Sequence, residues 1–247
     1  PFVVGMQWEM RELLSRLPHR VGEEDVGALL RTGLVPTLNH VLSYFTARGV
    51  NERLLKTLRL DVTHTDRLIS AAEDALNDVV TFQGVKGTIL RSPSQGYSWL
   101  STGPRQDRQW TFLLNRLNHL LPLMHAYELT RNTTFSDKID DALTDWILSN
   151  PYVPEAFNKQ PPWRPLEAAR RVVDTFLPLM FGWRGENPLS PHTKLLLLWT
   201  VPYHADKLWH HHTSHGNHLL SEMTALAFLA IAFPEFSQAD EWLAYAV

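Results

Sequence analysis

The sequence contains no cysteine among its 247 residues. A chain without thiols has no disulfide framework, no cysteine nucleophile and no thiolate metal site. It also lacks any apolar run close to the roughly 18 residues of a membrane-spanning helix, so we expect no membrane span. The missing disulfides do not exclude an oxidising compartment, because 44% hydrophobic residues supply a large core without them.

An excess of positive charge is also missing. The chain has 23 Lys and Arg against 26 Asp and Glu, a net charge of −3. No global basic field therefore recruits a polyanion, and we expect no nucleic-acid partner, although a local basic pocket remains possible. The chain opens with Pro-Phe-Val-Val, without an initiator Met or a signal-peptide pattern, and we interpret it as a mature or excised segment.

Alternating strand patterns are scarce, and most periodic stretches have the helical period. We predict helices at 8–17, 24–32, 34–48, 64–82, 106–130, 135–149, 165–181, 191–209, 217–232 and 238–246. Two long irregular segments, 83–104 and 150–164, interrupt them. Short connections between amphipathic helices indicate a single all-α domain over 1–247, built from antiparallel hairpins. Either an α/α toroid or a globular bundle fits this periodicity.

The stretch "HHHTSHGNHLLSEM", residues 210–223, has three interpretations. The spacing of His211, His215 and His218 could hold a metal, but Gly216 interrupts the face and no HExxH motif is present, so we expect no metal. The histidines could instead form a polar cap on the preceding helix. In the third interpretation Asn217 and His218 start a new helix, whose free N–H groups suit an anion.

A second cluster begins at Trp99 in "WLSTGPRQDRQWTFLLNR". Tryptophan faces stack on sugar rings, and arginine forks bind carboxylate or sulfate, which suggests Trp99, Trp110 and Arg108 as ligand contacts. The alternative is that the tryptophans are core and the arginines solvated. For Asn115 and Arg116, which lie among leucines, we expect a paired and partly buried position.

The third cluster is "PPWRPLEAARR", which begins at Pro161. Glu167 and Arg171 are four residues apart in the favourable order for a helical ion pair. On an exposed face such a pair contributes only a few tenths of a kcal/mol. The neighbouring alanines and Trp163 suggest instead a close-packed inner surface, where the pair orients a ligand-facing arginine.

Four blocks in this order resemble the N-terminal helical domain of heparinase II/III-type polysaccharide lyases. They are "YSWL…DRQWTFLLNRLNHLLPLMHAYELT", "FSDKIDDALTDWILSNP", "PWRPLEAARR" and "HHHTSHGNHLLSEMTALAFLAIAFPEF". The resemblance covers about residues 64–247 and is weak over 1–63. The last block is the most specific, a polar Gly-Asn-His turn followed by a helix that ends in Phe-Pro-Glu.

The resemblance implies an incomplete α/α toroid, followed in whole enzymes by a β-sandwich domain that these 247 residues do not contain. It implies β-elimination at a uronic acid of an acidic polysaccharide, with heparin or heparan sulfate favoured and alginate possible. It implies no cofactor in this domain and a periplasmic or secreted bacterial protein.

The resemblance also implies site residues. Asn217 matches the family asparagine that engages the uronate carboxylate, and His218 matches a neighbouring histidine of some branches. The family's catalytic tyrosine and a later histidine have no motif match before Val247, so we expect an incomplete catalytic set. We expect substrate contacts from Asn115, Arg116, Trp110, Trp163, Arg164, Glu167, Arg171, His215, Trp99 and Arg108.

Two other functions remain open. An inverting glycoside hydrolase on the same fold needs two carboxylates about 6.5–9.5 Å apart. Asp107, Glu167 and Glu222 are the candidates for that pair. A non-catalytic carbohydrate-binding protein that has kept the fold is the second alternative.

Overall fold

The computed structural model describes residues 20–21, 24–25, 34–58, 65–154 and 160–247. The helix predicted at 8–17 lies outside these residues. Most of the helix predicted at 24–32 also lies outside them. The prediction is wrong for its first two residues, which are not helical. Glu24–Asp25 (β2) is extended and pairs antiparallel with Arg20–Val21 (β1).

The other predicted helices are present, except that the one over 64–82 is shorter and the one over 106–130 is broken into two. In chain order the helices are α1 (Leu34–Arg48), α2 (Glu52–Leu58), α3 (Thr65–Leu76), α4 (Arg108–Leu114), α5 (Leu121–Thr130), α6 (Thr133–Ser149), α7 (Pro165–Arg171), α8 (Leu177–Phe181), α9 (Pro191–His210), α10 (Gly216–Ala232) and α11 (Ala239–Ala246). A π-helical turn, Val172–Phe176, joins α7 to α8. Prolines occupy the first positions of α7 and α9, where the missing N–H has no helical acceptor.

Successive helices pack against one another along the chain. α3 packs on α5, α5 on α6, α6 on α9, and α9 on α10, while α10 also contacts α7 and α11. Only two residues separate α5 from α6, and five separate α9 from α10, so the chain must reverse direction at both places. None of the helices in the described part of the chain is both long and apolar enough to cross a membrane.

The prediction of helix over 64–82 is wrong for its last residues. Val79–Phe82 (β3) forms a hairpin with Val85–Thr88 (β4), closed by Gln83 and Gly84 at positive φ. This two-residue turn suits a hairpin, and the β-branched Val-Val-Thr run prefers a strand. A second small hairpin pairs Arg91–Ser92 (β5) with Gly96–Tyr97 (β6) inside the segment predicted as irregular.

The single helix predicted over 106–130 is broken into two. α4 ends at Leu114 with Asn115 as its C-cap. Leu117 then takes a left-handed conformation with φ 62° before a short 3₁₀ turn, Asn118–Leu120, leads into α5. This backbone costs about 1–2 kcal/mol for a leucine. Complete burial of the Leu117 side chain offsets that cost.

Candidate functional site

The turn between α9 and α10 presents the polar residues of the fourth block to solvent. α10 starts at Gly216, whose φ of +81° is a conformation that glycine adopts readily. The preceding His215 makes no side-chain capping hydrogen bond, so the first N–H groups of α10 are not capped from there. Asn217 and His218 are exposed in the first turn, which confirms their predicted location.

The neighbouring histidines divide between the two helices. His211 closes α9, where its main-chain N–H donates to the Lys207 carbonyl, and His210 stacks on Trp209 at 4.5 Å. His211 therefore occupies the C-cap position of α9, although its capping bond is a main-chain bond. His215 is exposed beside α10, with its Nδ1 2.8 Å from Ser214 Oγ. Within the described residues, no group of three or more His, Asp or Glu is arranged to hold a metal.

The contacts of α10 with the 165–181 run indicate that both begin at the same edge of the helical layer. A small cavity is lined by Val172, Phe176, Leu177, Met180, Leu197, Thr200, Val201, His204, Leu229 and Phe233. The C-terminal halves of α10 and of the 165–181 run therefore meet there, while α7 packs on α10 before it. Asn217 precedes Leu229, and Arg164 precedes Phe176, by 12 residues each, or about 18 Å of helix. We call this shared edge the rim.

Three arginines from two separate segments gather at the start of α7. The Arg164 guanidinium lies 4.3 Å from the Phe112 ring centroid, and that of Arg108 lies 5.4 Å from it. Glu167, fully buried, accepts from Arg116 Nη2 at 3.0 Å and pairs with Arg164 Nη1 at 3.3 Å. Arg116 and Arg164 keep 19% and 33% of their side chains exposed. Arg108, Arg116 and Arg164 are called the arginine cluster below.

Arg171 was predicted to pair with Glu167 and to face a ligand, and both predictions are wrong. Its side chain is fully buried, with Nε donating to His204 Nε2 at 3.1 Å and Nη1 donating to the Asn115 carbonyl at 2.6 Å. Burial lowers the pKa of Arg171 to about 9, against the raising effect of the Glu167 carboxylate. Burial also lowers the pKa of His204, so a neutral ring accepts this hydrogen bond.

Asn115 is likewise an internal residue. Its Nδ2 donates to the carbonyls of Trp99 and Thr111 at 2.7 and 2.8 Å, and its Oδ1 accepts from Trp146 Nε1 at 2.8 Å. Both amide hydrogens are used, and the side chain has no exposed surface. Asn115 is paired as expected, but it is completely rather than partly buried. The expectation that Asn115 contacts a substrate is therefore wrong.

The three candidate tryptophans are core residues rather than exposed stacking faces. Trp99, Trp110 and Trp163 are 3%, 4% and 4% exposed. Trp99 Nε1 donates to Asp145 at 2.6 Å, and Trp163 Nε1 donates to the Asn150 carbonyl at 2.8 Å. The expectation that these tryptophans stack on sugar is therefore wrong. Any effect of replacing them on binding would be indirect, through the exposed residues that they support.

The surroundings of Trp110 show that this part of the core is closely packed. A Cβ added to Gly103, which has φ +67°, would lie 2.3 Å from the Trp110 ring. Only glycine permits so close an approach of backbone to indole. The Phe82 ring of the first hairpin packs edge-on to the same indole at 4.9 Å.

The sequence model described as "Heparinase II/III N-terminus" matches residues 29–247. The chain belongs to this family. This confirms the resemblance seen in the four blocks.

The similar proteins are longer than this chain. A heparin-sulfate lyase of Bacteroides stercoris is 25% identical over 161 residues, which cover 56% of this chain and 23% of that protein. A heparinase III structure with methylated lysines has a TM-score of 0.78 at 23% identity, covering 95% of this chain and 38% of that one. The heparan sulfate lyase of Pedobacter heparinus gives 0.77 at 19%, covering 96% and 38%. These likenesses confirm the predicted fold, an incomplete α/α toroid.

In this heparinase II/III-type chain the carboxylates suggested for a hydrolase are poorly placed. Glu167 and Glu222 have no exposed surface. Glu167 is held by two arginines, while both Glu222 oxygens accept hydrogen bonds from Thr213. Asp107 caps α4 by accepting from the Gln109 N–H. Because a sealed carboxylate cannot exchange a proton with a sugar, the hydrolase alternative loses two of its three candidates.

Sequence reasoning missed two parts of the arrangement. Phe112 carries the guanidinium groups of Arg108 and Arg164, and its spacing of four residues from Arg108 is the signal that could have indicated the first contact. The second is a contact of 2.7 Å between His212 Nε2 and Tyr245 Oη, which ties the turn to α11. Its partners are 33 residues apart, so no local pattern could have revealed it.

Proposed function

We propose that this chain is the helical part of a polysaccharide lyase that cleaves a uronic-acid-containing polymer, of the heparin or heparan sulfate kind, by β-elimination. Membership of the heparinase II/III family supports this reading. So do the names of similar proteins, a heparin-sulfate lyase and a heparan sulfate lyase. The single observation that carries the proposal is the exposed amide of Asn217 at the start of the 17-residue helix α10.

The reaction explains why an amide is useful at that position. The C5 proton of a uronate becomes acidic only when the charge of the adjacent carboxylate is neutralised. A neutral asparagine donates a hydrogen bond to this carboxylate, and the positive end of the helix stabilises the charge that develops on it. His218 follows in the same turn, where its imidazole can assist proton transfer.

The arginine cluster supports a polyanionic substrate. Guanidinium forks bind carboxylate and sulfate groups with charge-assisted hydrogen bonds. Glu167 and Phe112 hold the guanidinium groups in place, so little side-chain freedom is lost when an anion binds. Arg108, Arg116 and Arg164 therefore stay as predicted substrate contacts, with His215 beside the turn.

The remaining catalytic groups belong, in this proposal, to a longer protein. The chain spans 23% of its curated relative and 38% of the solved structures, so residues that follow it would supply the tyrosine, the second histidine and the β-sandwich domain. Because the polymer is large, the protein would act outside the bacterial cytoplasm, in the periplasm or after secretion. Residues 1–247 alone would bind part of the sugar without turning it over.

Ultraviolet absorbance of the new 4,5-double bond tests the proposal. The full-length protein should generate this chromophore from heparan sulfate, and residues 1–247 alone should not. Asn217→Ala should lower kcat by about 100- to 1000-fold, as expected when one donor to a developing anion is lost. Asn77→Ala, at an exposed asparagine that follows α3, is the matched control and should retain full activity.

Three outcomes would contradict the proposal. New reducing ends without the chromophore would indicate hydrolysis, and binding without cleavage by the full-length protein would indicate a carbohydrate-binding protein. Turnover by Asn217→Ala at the wild-type rate would remove the role given to its amide.

A further inference from the structure

The turn that carries Asn217 is held from below by a buried carboxylate. The Thr213 main-chain N–H donates to Glu222 Oε2 at 2.6 Å, and its hydroxyl donates to Oε1 at 2.8 Å. Glu222 lies on α10, five residues after Asn217, and has no exposed surface. One side chain of the helix therefore fixes both polar donors of a residue that precedes the helix.

The charge of Glu222 has a buried counterpart on the neighbouring helix. Lys207 of α9 has no exposed surface, and burial lowers its pKa to about 8 against the raising effect of the Glu222 and Asp206 carboxylates. An ionised carboxylate is costly to bury unless a positive charge and hydrogen bonds compensate it. Glu222 receives both kinds of compensation.

Among the described residues, no side-chain cap at the start of α10 does the same task. His215 makes no side-chain bond to the first turn, and a Cβ added to Gly216 would meet no described atom within 4 Å. A second tie comes from outside, where the His212 ring contacts both the Thr213 carbonyl and Tyr245 Oη. The turn is thus held at Thr213 and His212, while the first N–H groups of α10 stay uncapped by these ties.

We infer that Glu222 is a positioning residue for the lyase reaction, which clamps Thr213 so that the Asn217 amide and the open helix end meet the substrate in a fixed geometry. Lys207, buried on α9, supplies a positive charge that interacts with the Glu222 carboxylate. The inference rests on the proposed function, because it assigns the purpose of the clamp to the amide that the substrate contacts.

A double-mutant cycle in the full-length protein tests this inference. Thr213→Val removes one donor at nearly constant volume, and Thr213→Ser retains both donors. Thr213→Val should lower kcat about tenfold with little change in KM, less than the roughly 100-fold that a misplacement of about 1 Å can cost. Thr213→Ser should keep the kcat of the wild type. In an Asn217→Ala background Thr213→Val should have no further effect, because coupled residues are not additive.

Amide hydrogen exchange supplies a readout that does not depend on turnover. Thr213→Val should speed exchange of the amides at 211–218 several-fold more than exchange elsewhere in the chain, since these amides open by local unfolding. Thr213→Ser should leave their exchange as in the wild type. The pair Lys207→Met with Glu222→Gln, which removes both buried charges together, should reproduce the kcat loss of Thr213→Val or exceed it.

The outcomes separate the two ideas. Equal kcat losses from Thr213→Val with and without Asn217 would overturn the clamp while leaving the lyase function intact, and so would unchanged exchange at 211–218. A full-length wild-type protein that forms no unsaturated product would overturn the proposed function and, with it, the clamp.

Discussion

Asn115 and Asn217 carry the same side chain, but one is sealed in the interior and the other is open at the rim. Asn115 joins two carbonyls and an indole beneath the arginine cluster, whereas Asn217 is exposed at the start of α10. The buried layer around Asn115 fixes the shape of the molecule. The rim is the part of the molecule whose side chains are exposed to a ligand. Removing a residue from the buried layer should therefore cost stability, and removing one from the rim should cost function.

The largest expected effect tests the buried layer at Trp163. Trp163→Ala should lower the free energy of unfolding by about 3–5 kcal/mol, the usual cost of deleting a large core aromatic. His215→Ala, at the rim, should change it by less than about 0.5 kcal/mol. Chemical denaturation measures both, and a Trp163→Ala protein of wild-type stability that binds oligosaccharide poorly would restore the sugar-stacking interpretation.

The second prediction compares the two asparagines directly. Asn115→Ala leaves the buried Trp99 carbonyl and Trp146 Nε1 without their partner, whereas the Thr111 carbonyl keeps the Asn115 main-chain N–H. We therefore expect a loss of about 3 kcal/mol in the free energy of unfolding. Asn217→Ala should be stable to within about 0.5 kcal/mol. Urea titration of both variants measures the difference, and equal destabilisation would abolish the distinction drawn here.

The third prediction uses acid to probe a partly buried histidine. Burial lowers the pKa of His119 to about 3, below its ordinary value of 6.5, so the unfolded chain binds the proton first. The stability contributed by neutral His119 is present above pH 6.5 and is lost as pH falls toward 3. Between pH 6.5 and 5 this loss should reach about 1.5 kcal/mol.

His119→Phe should flatten that part of the stability curve by this amount. His204, whose pKa burial also lowers, adds a loss in the same direction that the variant retains. Exposed His218 is the control position, because replacing it should leave the slope unchanged. Urea unfolding at several pH values provides the measurement, and an unaltered slope in His119→Phe would contradict the prediction.

The smallest effect is expected at the arginine cluster. Arg164→Ala should raise the Kd for a heparin-type oligosaccharide by about threefold to tenfold at low salt, roughly 1 kcal/mol of binding free energy. The difference should shrink above about 0.5 M salt, because screening weakens contacts at a partly exposed charge. Arg53→Ala on α2, an exposed arginine far along the chain from the cluster, should bind as the wild type does. A salt-independent defect would indicate lost packing on Phe112 instead.

Helix positions and the first turn of α10 could be predicted from the sequence, because both depend on local signals. Periodic leucines marked most helices, and Gly216 before Asn217 marked the start of α10. The hairpin at 79–88 was missed although the Gln83-Gly84 turn was visible. The break at Leu117 was missed because nothing local announces a left-handed leucine, whose side chain is stabilised by burial.

The candidate site was harder to predict because residue type does not reveal burial. Trp99 and Trp163 have side chains that could stack on a sugar. An apolar face in the sequence indicates that the side chain is covered, but not whether a ligand or the protein core covers it. The partners of Glu167 come from positions three residues before it and 51 residues before it. Only the tertiary fold brings the second of these into contact, so the sequence suggested Arg171 as the partner instead.

The arginine cluster gives this acidic chain an uneven distribution of charge. Three guanidinium groups lie together at the start of α7, while the total charge is −3. At low salt, an anionic polymer would be attracted to this positively charged edge before any hydrogen bond forms. Its capture would then depend on which edge it encounters rather than on the overall charge of the molecule.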